Sequence, residues 1–193
     1  MIDYLSSIDT KIFLFLNGMN SPFWDAVMYL VSGKFTWIPF YLVIIFFIAR
    51  KFKWNTLWII IAIALIVTLS DQLSVHAFKN VFQRLRPCHD PMLSGFVHIV
   101  GRCGGKFGFV SSHASNTFGV AVFLLLLFRV KWFSIVILLW ATVVSYSRIY
   151  LGVHFPGDVL VGALLGVCIG FLVWKTLEFA SKRYDILSSK EEK

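Results

Sequence analysis

The chain has 193 residues, of which 58% are apolar and only 15% charged, with a net charge of +8. Soluble domains run at about half apolar and about a quarter charged. Disorder is therefore excluded, and so is a water-soluble globule, whose surface is too large to hide 20 Phe and 7 Trp side chains.

Residues 1–33 come first. Leu5, Ile8, Ile12, Phe13 and Leu16 recur at helical spacing, interrupted by Asp3, Asp9 and Lys11. Asn17 to Pro22 reads as a turn, and 23–31 as a further apolar turn or two. The segment is predicted to be an interfacial or re-entrant amphipathic helix in preference to a sixth span. It has no basic start and does not read as a cleaved signal peptide.

Five uncharged stretches follow, at 35–49, 54–70, 114–128, 132–147 and 159–174, each 15 to 17 residues long. Crossing hydrocarbon takes ~20 residues, and flanking Lys, Arg, Trp and Tyr supply the difference by snorkelling or seating at the interface. Without water to satisfy the backbone, these stretches must be helices. The expected fold is an all-α, polytopic membrane bundle forming one domain over 1–193, with five firm spans and the N-terminal segment. No internal repeat marks a second domain.

Alternation of the spans places ten cations on one face: Arg50, Lys51, Lys53, Arg129, Lys131, Lys175, Lys182, Arg183, Lys190 and Lys193. Seven fall on the other: Lys34, Lys79, Arg84, Arg86, Arg102, Lys106 and Arg148. The positive-inside rule makes the first face cytoplasmic, together with the tail 181–193, and the loop 79–112 external.

The external face gathers three segments rich in chemistry. Lys79, Arg86 and Arg148 can surround a tetrahedral dianion, the Arg forks matching its oxygens two at a time. Ser111 and the amides of Ser112 and His113 begin the third span, adding donors and the positive end of a helix dipole. His113 and His154 supply an acid and a nucleophile. Asp158, four residues after His154, is expected to accept the Nδ1 proton and leave Nε2 free to attack; Pro156 suits the first turn of a helix starting between them.

Lys79 to Arg86-Pro87, Val110-Ser111-Ser112-His113, and Ser147-Arg148 to His154 to Asp158 together resemble the type 2 phosphatidic acid phosphatase superfamily, membrane lipid phosphatases related to the vanadium haloperoxidases. The first and third motifs match in full. In the second, Val110 stands where Pro is usual and Ser112 where Gly is usual, while Ser111 and His113 are kept. The resemblance implies a two-step transfer in which His154 attacks phosphorus, His113 protonates the departing lipid oxygen, and water then releases phosphate. Lys79, Arg86, Arg148, Ser111 and Ser112 would hold the phosphoryl group and spread its charge. No cofactor or metal is expected, and no carboxylate cluster suited to Mg²⁺ stands out among the ten acidic residues.

Other residues have plainer expectations. Arg84 reads as part of a basic belt against lipid headgroups. His76, His89 and His98 match no motif. Asp71 is expected to pair within the bundle. For Cys88 and Cys103 in the outer loop, a disulfide is favoured over free thiols or a metal site with His89. Gly162, Gly166 and Gly170 form a small-residue stripe expected to pack helices of one chain.

These features predict a phosphatase in the cytoplasmic (inner) membrane, its site on the outer face, acting on a lipid phosphate or diphosphate. Undecaprenyl diphosphate and the phosphate of lipid A lead, ahead of phosphatidylglycerol phosphate and phosphatidic acid. A phosphotransferase passing the group to a second lipid, or a non-enzymatic binder or transporter of anionic lipid, are the rival readings. The bilayer and the lipid are the expected partners, and nucleic acid is not; the number of subunits is left open.

Overall fold

Each of the five uncharged stretches lies on a helix. In chain order, α1 (Ile2–Gly18) and α2 (Pro22–Ser32) precede α3 (Ile38–Phe52) and α4 (Thr56–Leu73). A π-helical turn, Ser74–Lys79, carries α4 into the short α5 (Asn80–Phe82). After the outer loop come α6 (Ser112–Phe128), α7 (Lys131–Tyr150) and α8 (Pro156–Tyr184). The structure, a computed structural model, describes residues 2–184 and Leu187, so most of the tail predicted at 181–193 lies outside the described residues.

Among the described residues, three runs are long and apolar enough to cross a membrane. They are Phe35–Phe82, which contains α3 and α4, then Lys131–Tyr150 and Pro156–Arg183; α6 is apolar but shorter. The ends of these helices follow from local chemistry. Ser21 caps α2 ahead of Pro22, and Pro156 opens α8 as expected. Arg129 leaves α6 in the left-handed conformation, at φ 56°.

The interior is built by α3, α4, α6, α7 and α8 around Ile48, Ile59, Ile66, Phe123, Leu124 and Ile137. Outward-facing Leu160, Leu164, Phe46 and Leu42 stay exposed, which suits hydrocarbon and not water. Trp54 and Trp132, at helix ends, are 95% and 67% exposed, where an interfacial belt belongs. The glycine stripe works within the chain. A β-carbon on Gly162, Gly166 or Gly170 would run into the backbone of Ser111, Ser115 or Gly119, so α8 lies backbone to backbone on α6.

The described part of the N-terminal segment forms two helices, α1 and α2, with the break at 19–21 inside the predicted turn. Along α1, Asp9 meets Arg84 and Gly157, Phe13 packs edge-on to Phe155 at 5.2 Å, and Asn17 donates to the carbonyls of His98 and Tyr150. Those partners all belong to the loops and helix ends at one end of the bundle, yet residues 9 to 17 span about 12 Å of helix. The helix therefore lies across that end and not beside the spans.

Candidate active site

The end of the bundle beneath α1 is assembled from four breaks in helical structure. The π-helical turn delivers Lys79, whose Nζ donates to Ser112 Oγ at 2.7 Å. The chain then runs extended through 84–86 and pairs with its own return: Arg86 N–H donates to Lys106 O at 3.2 Å, and Gly108 N–H to Arg84 O at 2.9 Å. Gly108 suits this close approach, because a β-carbon would stand 3.1 Å from both Arg86 Cγ and Asp158 Oδ2 and would have to push those side chains aside. Where α7 ends, the amides of Val153 and His154 donate to Arg148 O, turning the chain toward α8. Finally, Ser111 N–H donates to Asp158 O at 2.9 Å, tying the start of α6 to the start of α8.

This folding opens a cavity of about 610 Å³, within the range of small-molecule sites. Its head is lined by Lys79, Arg86, Ser112, His113, Arg148 and His154, six of the expected residues from three distant segments. Lys34 joins them from the α2–α3 turn; the sequence marked it only as a topology charge. Below the head the lining turns apolar, through Ile44, Ile63, Val120, Leu124 and Val144 as far as Ile60 on α4. From Asp71 to Ile60 the cavity follows about 16 Å of helix, roughly half the hydrocarbon thickness. Tyr41, Ile45 and Ile60 also line it and are each more than a third exposed, so the trough opens through the side of the bundle.

The electrostatics of the head are lopsided. Among the described residues no carboxylate comes within 4.0 Å of Lys79, Arg86 or Arg148 to form an ion pair. Arg86 is nearly buried, and the Nε atoms of Arg86 and Arg148 are buried with no hydrogen-bond acceptor. Arg148 does hold one neutral partner, Ser32 Oγ on α2. Buried cations left without counter-charge are costly, and an anion with several oxygens is the partner that relieves the cost.

His154 is buried, with Nε2 3.2 Å from Arg86 Nη1. A guanidinium only donates, so Nε2 is the lone-pair nitrogen and the proton sits on Nδ1. Burial holds this imidazole well below the ordinary histidine range, and the charges of Arg86, Arg148 and Lys79 push the same way. His154 is accordingly neutral, with its Nε2 lone pair turned toward Arg86 and the anion site, the state a nucleophile requires.

Three sites differ from expectation. Asp158 Oδ2 lies 3.4 Å from His154 Nδ1 without a hydrogen bond between them. Its oxygens are held instead by Phe155 N–H at 3.0 Å and by Arg84 Nη1 at 2.8 Å. Such contacts are commonly long before substrate binds. Ser111 does not line the cavity; it is fully buried, and its hydroxyl caps α6 by accepting from Ala114 N–H. Arg84, read as a lipid-facing cation, turns inward to bridge Asp158 and Asp9.

The remaining expectations are quickly placed. Asp71 lines the cavity and accepts from Asn116 Nδ2 at 3.1 Å, a pairing between α4 and α6 at an exposed position. Cys88 and Cys103 form a disulfide. Among the described residues, the one His/Cys/acid trio close enough to share an ion is Cys88, His89 and Cys103, whose two sulfurs that bond already uses. His98 pairs with Asp25 at 2.9 Å.

Known proteins resemble this chain. The chain is 46% identical to the lipid A 4'-phosphatase of Bacteroides thetaiotaomicron over 90% of its own length and 79% of the relative's. It is 37% identical to the lipid A 4'-phosphatase of Porphyromonas gingivalis, over 95% of this chain and 78% of that one. The crystal structure of a transmembrane PAP2-type phosphatidylglycerolphosphate phosphatase from Bacillus subtilis superposes with a TM-score of 0.68 at 27% identity, covering 94% of this chain and 89% of the other. The model of the PAP2 superfamily matches residues 56–182, which hold Lys79, Arg86, His113, Arg148, His154 and Asp158. The chain belongs to the PAP2 superfamily.

Proposed function

We propose that this membrane lipid phosphatase removes the 4'-phosphate of lipid A at the outer face of the inner membrane. The observation that carries the reading is a single cavity with two chemistries. A head of partly or fully buried cations with no carboxylate partner suits a phosphate dianion, and an apolar trough open to the side suits the hydrocarbon of the same molecule. The two lipid A 4'-phosphatases, each matched over nine-tenths or more of this chain, favour that lipid over the prenyl diphosphate. The cation distribution favours an external site, with α1 lying in the interface above it.

The steps follow from the positions. Lys79, Arg86 and Arg148 seat the phosphate beside His154 Nε2. As Nε2 forms its bond to phosphorus, the bond from phosphorus to the sugar oxygen breaks, and His113 gives that oxygen its proton. The incoming dianion supplies the negative charge that lets His113 carry a proton among so many cations. Water then attacks the phosphohistidine, His113 takes back a proton, and the nitrogen–phosphorus bond breaks to free phosphate. Charge that spreads over the phosphoryl oxygens in both steps meets donors already in place.

The test is phosphate release by the purified protein in detergent from lipid A and from undecaprenyl diphosphate, followed by trapping of acid-labile phosphoprotein. Wild type should release phosphate from the 4' position of lipid A and trap label, and His154→Ala should do neither. Release from undecaprenyl diphosphate alone would remove lipid A as the substrate. Release from neither lipid, with no trapped label, would remove the enzymatic reading.

A further inference from the structure

We propose that Arg84 and Asp9 are positioning residues for the reaction, forming a charge relay that holds Asp158 against the imidazole of His154. The inference rests on the reading of His154 as nucleophile. Neither residue belongs to the motifs by which the chain resembles its family, and Asp9 lies outside the matched residues 56–182.

Arg84 spends both terminal nitrogens inward. Nη1 donates to Asp158 Oδ1 at 2.8 Å and Nη2 to Asp9 Oδ2 at 2.7 Å, while the guanidinium carbon sits 4.2 Å from the Phe155 ring centroid. Asp9 uses its second oxygen too, accepting from Gly157 N–H at 2.8 Å. That amide belongs to the first turn of α8, where donors have no partner within the helix and an acid is favoured by the dipole. One carboxylate of α1 thus fixes both the start of α8 and the arginine that grips Asp158.

The need for such a clamp follows from the surroundings of Asp158. Its side chain is fully buried, and Oδ1 has the Arg84 bond to hold it. Without Arg84, the remaining cations acting on this carboxylate are Arg86 and Lys79, both of the phosphate-binding head, and Arg86 is the one that faces His154. Asp158 turned toward Arg86 would leave the imidazole and neutralise part of the anion site in one movement. Arg84 supplies the counter-charge on the far side, and Asp9 balances Arg84 in turn. A buried charge pair truncated on one side strands the other, so the arrangement depends on each member.

The experiment is a double-mutant cycle on the purified full chain, read as phosphate release from lipid A. Arg84→Gln is expected to lower kcat about 10- to 100-fold. KM should change by less than about twofold, because Arg84 makes no contact with the cavity head. Added to Asp158→Asn, the same substitution should cost nothing further, because its effect runs through the acid already removed. Losses that multiply, or a loss seen in KM with kcat intact, overturn the inference. Where Arg84→Gln does not fold, Asp9→Asn enters the same cycle, and Asp9→Glu, which keeps the charge, should recover part of the rate. An Asp9→Asn protein with the wild-type kcat overturns the relay. Wild type and His154→Ala run alongside separate the failures. A wild type that releases no phosphate sinks both readings; an active wild type, a dead His154→Ala and a fully active Arg84→Gln sink the relay alone.

Discussion

Substituting Gly166 by Ala tests whether the α6–α8 seam sets the geometry of catalysis. A β-carbon there would stand 2.9 Å from Gly119 N and nearer still to the Ser115 carbonyl oxygen, both atoms being backbone that no rotamer change can move. Restoring ordinary contact requires the two helices to part by about 1 Å. Overpacking of this kind costs about 1–3 kcal/mol, which for a chain of this size lowers the unfolding temperature by roughly 2–12 °C. The seam also carries His113 at the head of α6 and Asp158 at the head of α8, and misplacement by about 1 Å can cost ~10²-fold in rate. Thermal unfolding in detergent and kcat for phosphate release are measured together. Gly105→Ala is the control, because a β-carbon there meets nothing within 4 Å. A Gly166→Ala protein matching wild type in both measurements would show that the seam is slack and the reasoning mistaken.

Two further outcomes are expected. Folded His154 resists protonation, whereas the unfolded chain binds that proton below the ordinary value of about 6.5. Stability should therefore fall as pH drops from there, by at most about 1.4 kcal/mol per unit from this group. Unfolding temperatures between neutral pH and acid should show a shallower slope for His154→Gln, and identical slopes would refute the assignment. Reducing the Cys88–Cys103 bond, which closes a loop of 15 residues, should remove up to about 3 kcal/mol of stability. An unfolding temperature unmoved by reductant, with thiol labelling complete, would count against it.

The parts legible from sequence are those governed by local spacing. His154, Pro156 and Asp158 lie within one turn and a half of chain, so the start of α8 and the approach of acid to imidazole follow from their order. The stripe of three glycines is equally local, and it packs as small residues in a membrane helix do. Arg84 escaped because its meaning lies 75 residues away, at Asp9 on a helix whose path over the bundle no periodicity reveals. Ser111 is ambiguous for a related reason: a serine opening a helix reads equally well as an anion ligand and as a cap, and in the structure it is buried and caps α6. The trough was invisible because α3 and α4 are apolar on every side, so nothing in their composition separates a residue facing lipid from one facing the cavity.

The mixed lining of the cavity bears on how turnover ends. Inorganic phosphate has no affinity for a wall of isoleucine and valine, and the charged rim at Lys34 is the side of the cavity that suits its release. A lipid that has given up its phosphate would lose the charge holding it at the arginines, and the opening lined by Tyr41, Ile45 and Ile60 offers it a way to the leaflet. On the proposed reading the two products would part into immiscible media by different doors, and neither would block the other's exit.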